Sequence, residues 1–210
     1  MTDLTVETIN ISPTLRVRIE YDRDPDSPAN WDNVGEIAYT STRHTLGTQE
    51  VSRDRMDEIA QGIRSGKLIG LPVYAYVHSG SMIAAGKRLK GTSGKFVFCN
   101  PFSCPWDSGQ SGFVYTTREK AIREFGKKIM TNKVKQATLQ CLAGEVETFS
   151  QYLEGDVYGY IVERTELDED GDPGEWEGLE SCWGYYGIEY ARAEGKSVAE
   201  HWAAEEAQPA

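Results

Sequence analysis

The sequence predicts an α+β fold, with a mainly antiparallel sheet packed against three or four helices, and two observations support it. Several short segments have the alternation or the Val, Leu and Tyr content of strands, and three or four have helical periodicity. The two kinds of segment do not alternate regularly, which argues against a doubly wound parallel sheet. Because no long linker is present, we expect a single domain over residues 1–203 and a frayed tail at 204–210.

The first half of the chain contains four predicted strands and one predicted helix. The strands alternate apolar and polar residues or are rich in Val, Leu and Tyr: 14–21, 34–40, 68–77 and 81–85. Pro72 has no N–H to donate to a sheet, so we expect the strand that contains it to lie at an edge or to begin there. Ser52 and Gly66 are placed to cap the helix, whose apolar residues recur three and four positions apart.

The second half of the chain is predicted to hold three helices and several shorter strands. Thr117 is placed to cap the first helix, the second is the longest at residues 131–153, and the third runs from Gly187 to about Trp202. The basic, glycine-rich residues 86–95 are expected to form an exposed hairpin loop. The predicted strands are residues 96–99, 113–115, 157–167 and 176–183.

The composition is that of an ordinary globular protein, with 39% hydrophobic and 26% charged residues. No apolar run approaches the roughly 20 residues of a membrane-spanning helix, and the N-terminal residues lack a secretory pattern, so we expect a cytoplasmic protein. The spacing of the four cysteines fits no zinc site, so we expect reduced thiols and neither metal nor cofactor. The cysteines are Cys99, Cys104, Cys141 and Cys182.

The net charge of −11 is unevenly distributed along the chain. Residues 145–210 contain 18 acidic and 3 basic residues, whereas residues 1–144 contain 15 acidic and 19 basic residues. A net charge of −15 in the C-terminal third argues against phosphate binding there, because nucleic acid requires positive charge. It suits a partner with a basic surface, or it serves solubility.

An aspartate-rich loop carries the acidic residues considered for partner binding. They are Asp168, Asp170, Asp172, Glu175 and Glu177, with Trp176 among them as a contact residue. Spaced carboxylates on a rigid frame can imitate the phosphates of DNA, which follow one another about 3.4 Å apart along each strand. The alternative is an acidic surface over an aromatic core. The alternating aspartates resemble a calcium loop, but Pro173 replaces the required glycine, so we predict a solvated hairpin turn.

The loop CPWDSGQSG, residues 104–112, is the strongest candidate for catalysis. Cys104 is a candidate nucleophile and Asp107 a candidate acid or orienting group, with His78 or His44 as the base. A hydrolase or transferase built in this way requires these side chains to converge in the fold. The alternative is a rigid loop in which proline and aspartate set the turns.

Basic residues are concentrated in two segments, 87–95 and 118–135. A nucleic-acid-binding protein built on them would bind DNA or RNA in a salt-sensitive way. The alternative is that they form a solvated helix face. The candidates for nucleic-acid contact are Lys87, Arg88, Lys90, Arg118, Arg123, Lys127 and Lys128.

Four long motifs stand out: IEYDRDPDSPANWDN (19–33), FSCPWDSGQSGFVY (102–115), GEVETFSQYLEGDVYGY (144–160) and SCWGYYG (181–187). On these motifs the chain resembles a family of uncharacterised proteins found in bacteriophages and other mobile elements. The resemblance implies no particular chemistry, but it implies a small host-interaction protein, such as an inhibitor of restriction or CRISPR defence. We therefore expect an interaction protein rather than an enzyme. Its acidic C-terminal third would bind a basic surface on a nucleic-acid-handling protein in the host cytoplasm.

Overall fold

The computed structural model describes residues 4–41, 43–90 and 96–206, and of Lys90, Phe96 and Glu206 only the backbone. Eleven strands and four α-helices lie within these ranges, and the sheets are mostly antiparallel, which confirms the predicted α+β fold. The chain divides into two compact units: unit 1 comprises Met1–Asp26 and Gly155–Ala210, and unit 2 comprises Ser27–Glu154. The single domain over residues 1–203 stays a prediction.

The elements of the described residues have the following bounds. The strands are β1 Thr5–Ser12, β2 Leu15–Tyr21, β3 Glu36–Tyr39, β4 Gln49–Glu50, β5 Leu68–Val77, β6 Ser81–Ala85, β7 Lys87–Lys90, β8 Phe96–Cys99, β9 Ser108–Thr117, β10 Val157–Arg164 and β11 Glu177–Tyr186. The helices are α1 Arg53–Ser65, α2 Arg118–Glu124, α3 Asn132–Glu154 and α4 Ile188–Glu206, with a short 3-10 helix at Pro28–Asn30.

Unit 1 is a four-stranded antiparallel sheet in the order β1–β2–β10–β11, with α4 packed on one face. The alternation in β2 explains this face, because Leu15, Val17 and Ile19 are fully buried. They pack with Tyr160 of β10 and Ala191 of α4. Burial of each such side chain contributes about 1.5–3 kcal/mol to the stability of the fold. Because a shift of β2 by one residue against its neighbours would expose all three side chains, their burial specifies the register of the strand.

The opposite face of this sheet carries charged side chains that pair with each other. Arg16 and Arg18 of β2 both donate to the carboxylate of Glu163 on β10, over 2.7 and 2.8 Å. Arg18 also pairs with Glu20. The side chain of Glu163 is only 8% exposed, so its charge is balanced by two guanidinium groups rather than by water.

Unit 2 contains a five-stranded sheet in the order β4–β3–β9–β5–β6, in which the described strands run antiparallel except for the β3–β4 pair. Helix α3 covers one face, where Leu142, Val146 and Phe149 are buried against the strands. Helix α1 covers the other face and buries Ile59. A separate two-stranded ribbon, β7–β8, follows β6 along the chain.

The helix ends follow the predicted capping residues. Ser52 Oγ accepts the N–H of Arg55 over 3.2 Å at the start of α1, and Thr117 Oγ1 accepts that of Lys120 over 3.1 Å at the start of α2. Gly66 ends α1 with a φ of 75°, in the left-handed conformation that favours glycine. These local signals are readable because each depends on residues only three positions apart.

Pro72 lies in an interior strand, so the expectation of an edge strand or a strand start at this residue is wrong. It sits in the middle of β5, which runs between β9 and β6, and it is opposite Phe113 of β9. The carbonyl of Pro72 accepts the N–H of Gly86. In an antiparallel pair of this kind the second hydrogen bond would run from the N–H of residue 72 to Gly86, and proline cannot donate it. Because β6 ends at Ala85, the lost hydrogen bond falls beyond the end of β6.

Several element boundaries differ from the prediction. Residues 87–90, expected in a hairpin loop, form β7, while 91–95 lie outside the described residues. Strand β1 is absent from the prediction because its less exposed face mixes Thr5 and Glu7 with Ile9 and Ile11, so the sequence shows no clean apolar alternation. Helix α4 continues to Glu206, so the first three residues of the expected frayed tail are helical, and 207–210 lie outside the described residues.

Tyr158 makes the stability of unit 1 depend on pH in the alkaline range. Burial of its ring, and the hydrogen bond of its hydroxyl to Asp156 over 2.7 Å, raise the pKa of Tyr158 well above its ordinary value. Above about pH 10 the phenol therefore ionises in the unfolded chain but not in the folded chain, and stability falls as pH rises. We expect Tyr158→Phe to be about 1 kcal/mol less stable than the wild type near pH 8, with the gap closing by about pH 11. Urea unfolding at both pH values checks this, and a gap of constant size would contradict it.

Candidate functional site

The acidic residues predicted to bind a partner lie on the connection between β10 and β11 and on the first residue of β11, residues 165–177, which we call the acidic arm. Every residue of the arm except Thr165 and Trp176 is solvent-exposed. Thr165 is buried at the base, where its N–H donates to the carbonyl of Thr14 and its hydroxyl donates to that of Glu175. The first bond ties the base of the arm to the residue before β2, and the second joins the two sides of the arm to each other.

The tip of the acidic arm is a turn organised by Asp168. Its Oδ1 accepts the backbone N–H groups of Asp170 and Asp172, over 3.0 and 2.9 Å. Leu167 and Pro173 form an antiparallel bridge below the turn. The solvated hairpin turn expected from the sequence is therefore present, and the side chain of Asp168 is used to hold it.

Trp176 attaches the acidic arm to β2. The guanidinium of Arg16 lies 3.9 Å from the centroid of the Trp176 ring, which is a cation–π contact. Because Arg16 also donates to Glu163, the arm, β2 and β10 share one network. The sequence reasoning missed the role of Arg16. The signal that could have found it is the alternation in residues 14–21, which puts Arg16 and Arg18 together on the face opposite the core.

An open cavity of about 680 Å³, here called the acidic trough, runs along the arm. One guanidinium and four carboxylates line it, so the charged groups of its lining sum to −3. Such a trough fits the side chain of an arginine or lysine, whose stem packs on apolar surface while its charge meets the carboxylates. The residues on which this argument depends are Arg164, Glu166, Leu167, Asp168, Glu175, Trp176 and Glu177.

The negative charge of the chain belongs to unit 1. Its residues include 21 acidic and 6 basic side chains, a net charge of −15, whereas those of unit 2 include 12 acidic and 16 basic side chains, a net charge of +4. Most of the acidic third seen in the sequence, from Gly155 onward, therefore belongs to one compact unit, which also contains the first 26 residues, whereas residues 145–154 belong to unit 2. A partner that meets unit 1 meets a strongly negative field at moderate ionic strength.

The structure brings three of the four catalytic candidates together in unit 2. Sγ of Cys104 lies 3.4 Å from Oδ2 of Asp107, and Nδ1 of His78 lies 3.7 Å from the same oxygen. The N–H of Val77 donates to the backbone carbonyl of Asp107 and holds the loop against β5. His44 is exposed in the loop between β3 and β4, and among the described residues no hydrogen bond or ion pair joins it to this cluster.

This cluster is arranged differently from a nucleophile with its base. The thiol of Cys104 donates a hydrogen bond to the carboxylate of Asp107, and the imidazole of His78 lies beside the same carboxylate. The acceptor of the thiol proton is therefore the carboxylate and not the histidine. Ser108 donates to the carbonyl of Cys104, and Asn100 donates to Ser108 over 2.8 Å. These bonds are typical of a rigid loop, and a hydrolase or transferase reaction here stays a hypothesis.

The basic residues considered for nucleic-acid binding lie in unit 2. Lys90 has no described side chain, and residues 91–95 lie outside the described ranges. Arg123 is paired with Glu124 over 3.5 Å. Nucleic-acid binding and a merely solvated surface both require exposed basic side chains, so exposure does not distinguish between them. Nucleic-acid binding therefore stays a hypothesis. The six candidates with described side chains, on β7, on α2 and in the segment after α2, are all exposed: Lys87, Arg88, Arg118, Arg123, Lys127 and Lys128.

The described residues contain neither a cluster of metal ligands nor a helix that could span a membrane. Within the described residues, no group of three or more His, Cys, Asp or Glu side chains is arranged to hold a metal ion, and the four cysteines are free thiols. In the part of the chain that the structure describes, no helix is both long and apolar enough to cross a membrane. Comparison with protein-family models, with curated proteins and with solved structures found no match.

Proposed function

We propose that the protein acts by binding a basic surface of another protein through the acidic arm, and that it is an interaction protein rather than an enzyme. The observation that carries the proposal is the acidic trough, where four carboxylates and the ring of Trp176 line one cavity on a unit of net charge −15. Opposite charge speeds association and disfavours acidic partners, while a tryptophan supplies contact energy.

The arm is held in place before any partner binds. Thr165 secures its base, Asp168 holds its tip, and Arg16 stacks on Trp176 between them. A binding surface that is already ordered loses less conformational entropy on association, so more of its contact energy appears as affinity. Exposed carboxylates on such a frame are therefore suited to a specific contact as well as to solubility.

The resemblance to bacteriophage proteins gives this proposal a biological context. A host protein that handles nucleic acid has a basic surface for phosphates, and a fixed set of exposed carboxylates offers that surface charges like those of DNA. Occupying the surface would keep nucleic acid away from it. The partner we propose is such a protein in the cytoplasm of a host bacterium, and the expected consequence is inhibition of restriction or CRISPR defence.

The arm is tested with two variants that change the net charge equally. The arm variant replaces Glu166, Glu175 and Glu177 by glutamine, and the helix variant replaces Glu194, Glu200 and Glu205 of α4 in the same unit. The probe is an immobilised arginine-rich peptide at ~0.15 M salt, where charges still act over about 8 Å. We expect the arm variant to bind about tenfold or more weakly than the wild type, and the helix variant to stay within about threefold.

Equal losses in the two variants would contradict the proposal, because the peptide would then sense only the net charge of unit 1. Asp168 is left unchanged in the arm variant since its carboxylate holds the turn. A far-ultraviolet circular dichroism spectrum and a melting curve for each variant show whether the fold is retained, so that a loss of binding can be attributed to the arm.

A further inference from the structure

Unit 2 contains two adjoining cavities beside the loop that ends in Trp31, Asp32 and Asn33, the WDN end of the motif at residues 19–33. Their volumes are about 290 and 330 Å³, and four residues line both. We call the pair the WDN groove. Ligand sites in proteins are concave and of roughly 300–1,000 Å³, so the size of the groove suits a small molecule. The shared lining residues are Trp31, Asn33, Gly35 and Thr48.

The loop at the edge of the groove is held by side chains from distant parts of unit 2. The carboxylate of Glu145, on α3, accepts the backbone N–H groups of Val34 and Gly35 over 2.6 and 2.9 Å. Nζ of Lys120 donates to the carbonyl of Asn33 over 2.6 Å. The groove is therefore preformed, which lowers the entropic cost of binding a ligand.

Gly144 opens the apolar half of the groove. It lies inside the 23-residue helix α3, where glycine is unfavourable because it loses more backbone freedom than alanine on folding. A Cβ built at Gly144 meets no atom within 4 Å, and the residue lines the groove. No packing contact thus requires a glycine here, and Gly144 lines the same cavity as Phe149 and Trp31.

The two halves of the groove differ in chemistry. The half beside Gly144 is walled mainly by carbon: Pro28, Trp31, Ile37, Thr148 and Phe149. The other half has the carboxylates of Asp32 and Glu36, and Lys120 is its basic residue. With Glu145, three carboxylates face one ammonium group, so the charged groups of the groove sum to −2. That balance favours a cation, and Trp31 offers a ring face against which a cation or an aromatic body can pack.

From this geometry we infer that the WDN groove binds a small amphipathic organic cation, an amine or guanidine joined to an apolar body. The apolar body occupies the space beside Gly144 and Phe149, and the cationic end lies at Asp32 and Glu36. The inference is independent of the acidic arm, because every residue involved belongs to unit 2.

The test uses two ligands of nearly equal shape and opposite charge, phenethylammonium and phenylacetate, titrated into the full-length protein and followed by ligand-observed NMR. We expect saturable binding of phenethylammonium and at least tenfold weaker binding of phenylacetate. Replacing Asp32 by asparagine together with Glu36 by glutamine should remove most of this preference, because the amides keep the shape and lose the charge. An anion that binds as well as the cation would overturn the inference.

Gly144→Leu separates loss of the groove from loss of the fold. Leucine fills the open space and favours the helix, so the variant should melt at a higher temperature than the wild type while binding phenethylammonium at least tenfold more weakly. Gln140→Leu, at an exposed position of the same helix, is the matched control and should bind like the wild type. Unchanged binding by Gly144→Leu would overturn the inference. So would an absence of saturable binding to the wild type at ~10 mM ligand, well above a millimolar Kd.

Discussion

Replacing Glu163 by alanine is expected to lower the free energy of unfolding by about 3 kcal/mol. The side chain of Glu163 is 8% exposed and accepts hydrogen bonds from Arg16 and Arg18 over 2.7 and 2.8 Å. Its removal takes away the carboxylate that the two guanidinium groups share, and Arg18 keeps only its ion pair with Glu20. Loss of a buried ion-pair partner costs about 3–5 kcal/mol, and the lower end applies here because both arginines are still reached by water.

The same substitution also loosens the acidic arm. Arg16 would lose the carboxylate that positions it, and with it the fixed stacking of its guanidinium on Trp176. Urea unfolding at neutral pH measures the stability change. The matched control is Glu177→Ala, whose partner Arg164 is 4.0 Å away with both side chains exposed, so less than about 1 kcal/mol is expected. A similar small effect for Glu163→Ala would contradict the assignment of a buried charge network.

Gly112→Ala is expected to destabilise the protein by about 3 kcal/mol or more. Gly112 lies in β9 between its partners Tyr39 of β3 and Val73 of β5. A Cβ at this position would overlap the backbone carbonyl of Ala38. Because the obstacle is the backbone of a paired strand rather than the end of a flexible side chain, it cannot move without breaking the sheet.

Gly109→Ala is the control for Gly112→Ala, since it adds the same atom to the same strand. A Cβ at Gly109 meets nothing within 4 Å, and we expect its effect on the free energy of unfolding to stay within about 0.5 kcal/mol. Thermal and urea unfolding of the two variants provide the comparison. Equal stability of the two would show that β3 does not approach β9 as closely as described.

The parts of the fold that depend on neighbouring residues could be predicted from the sequence. The alternation of Leu15, Val17 and Ile19 identifies β2 and its buried face, and Ser52 and Gly66 mark both ends of α1. Most of the negative charge of unit 1 could be predicted, because Gly155–Ala210, which lie within the acidic third seen in the sequence, belong to this unit. Such features need no knowledge of which strands pair.

The features that depend on strand order could not be predicted. A proline such as Pro72 indicates an edge strand unless the neighbouring strand ends beside it. Strand β6 does end beside Pro72, but only the pairing of β5 with β6 and β9 reveals this. The meeting of Arg16 with Glu163 joins residues 147 positions apart. The WDN groove was missed for the same reason, because Glu145 reaches Val34 across 111 positions of sequence.

In the candidate sites, too, contacts between neighbouring residues could be predicted, and contacts that depend on the fold could not. The spacing of Cys104 and Asp107 predicts their proximity, and the fold adds His78, but it also places the carboxylate between thiol and imidazole, which the sequence could not indicate. The five acidic residues predicted to bind a partner are exposed, as a hydrophilic loop should be. That Trp176 lines one trough with Asp168, Glu175 and Glu177 depends on the path of the arm after β10.

The most direct test of the proposed function is capture of partners from a bacterial lysate by the tagged protein at ~0.15 M salt, repeated after nuclease treatment and at high salt. We predict a protein that is retained after nuclease treatment, released by high salt, captured by the helix variant and lost with the arm variant. Capture that disappears with nuclease would contradict the account and favour nucleic-acid binding by the basic segments of unit 2. Equal capture by the arm variant, or no captured protein, would also contradict it.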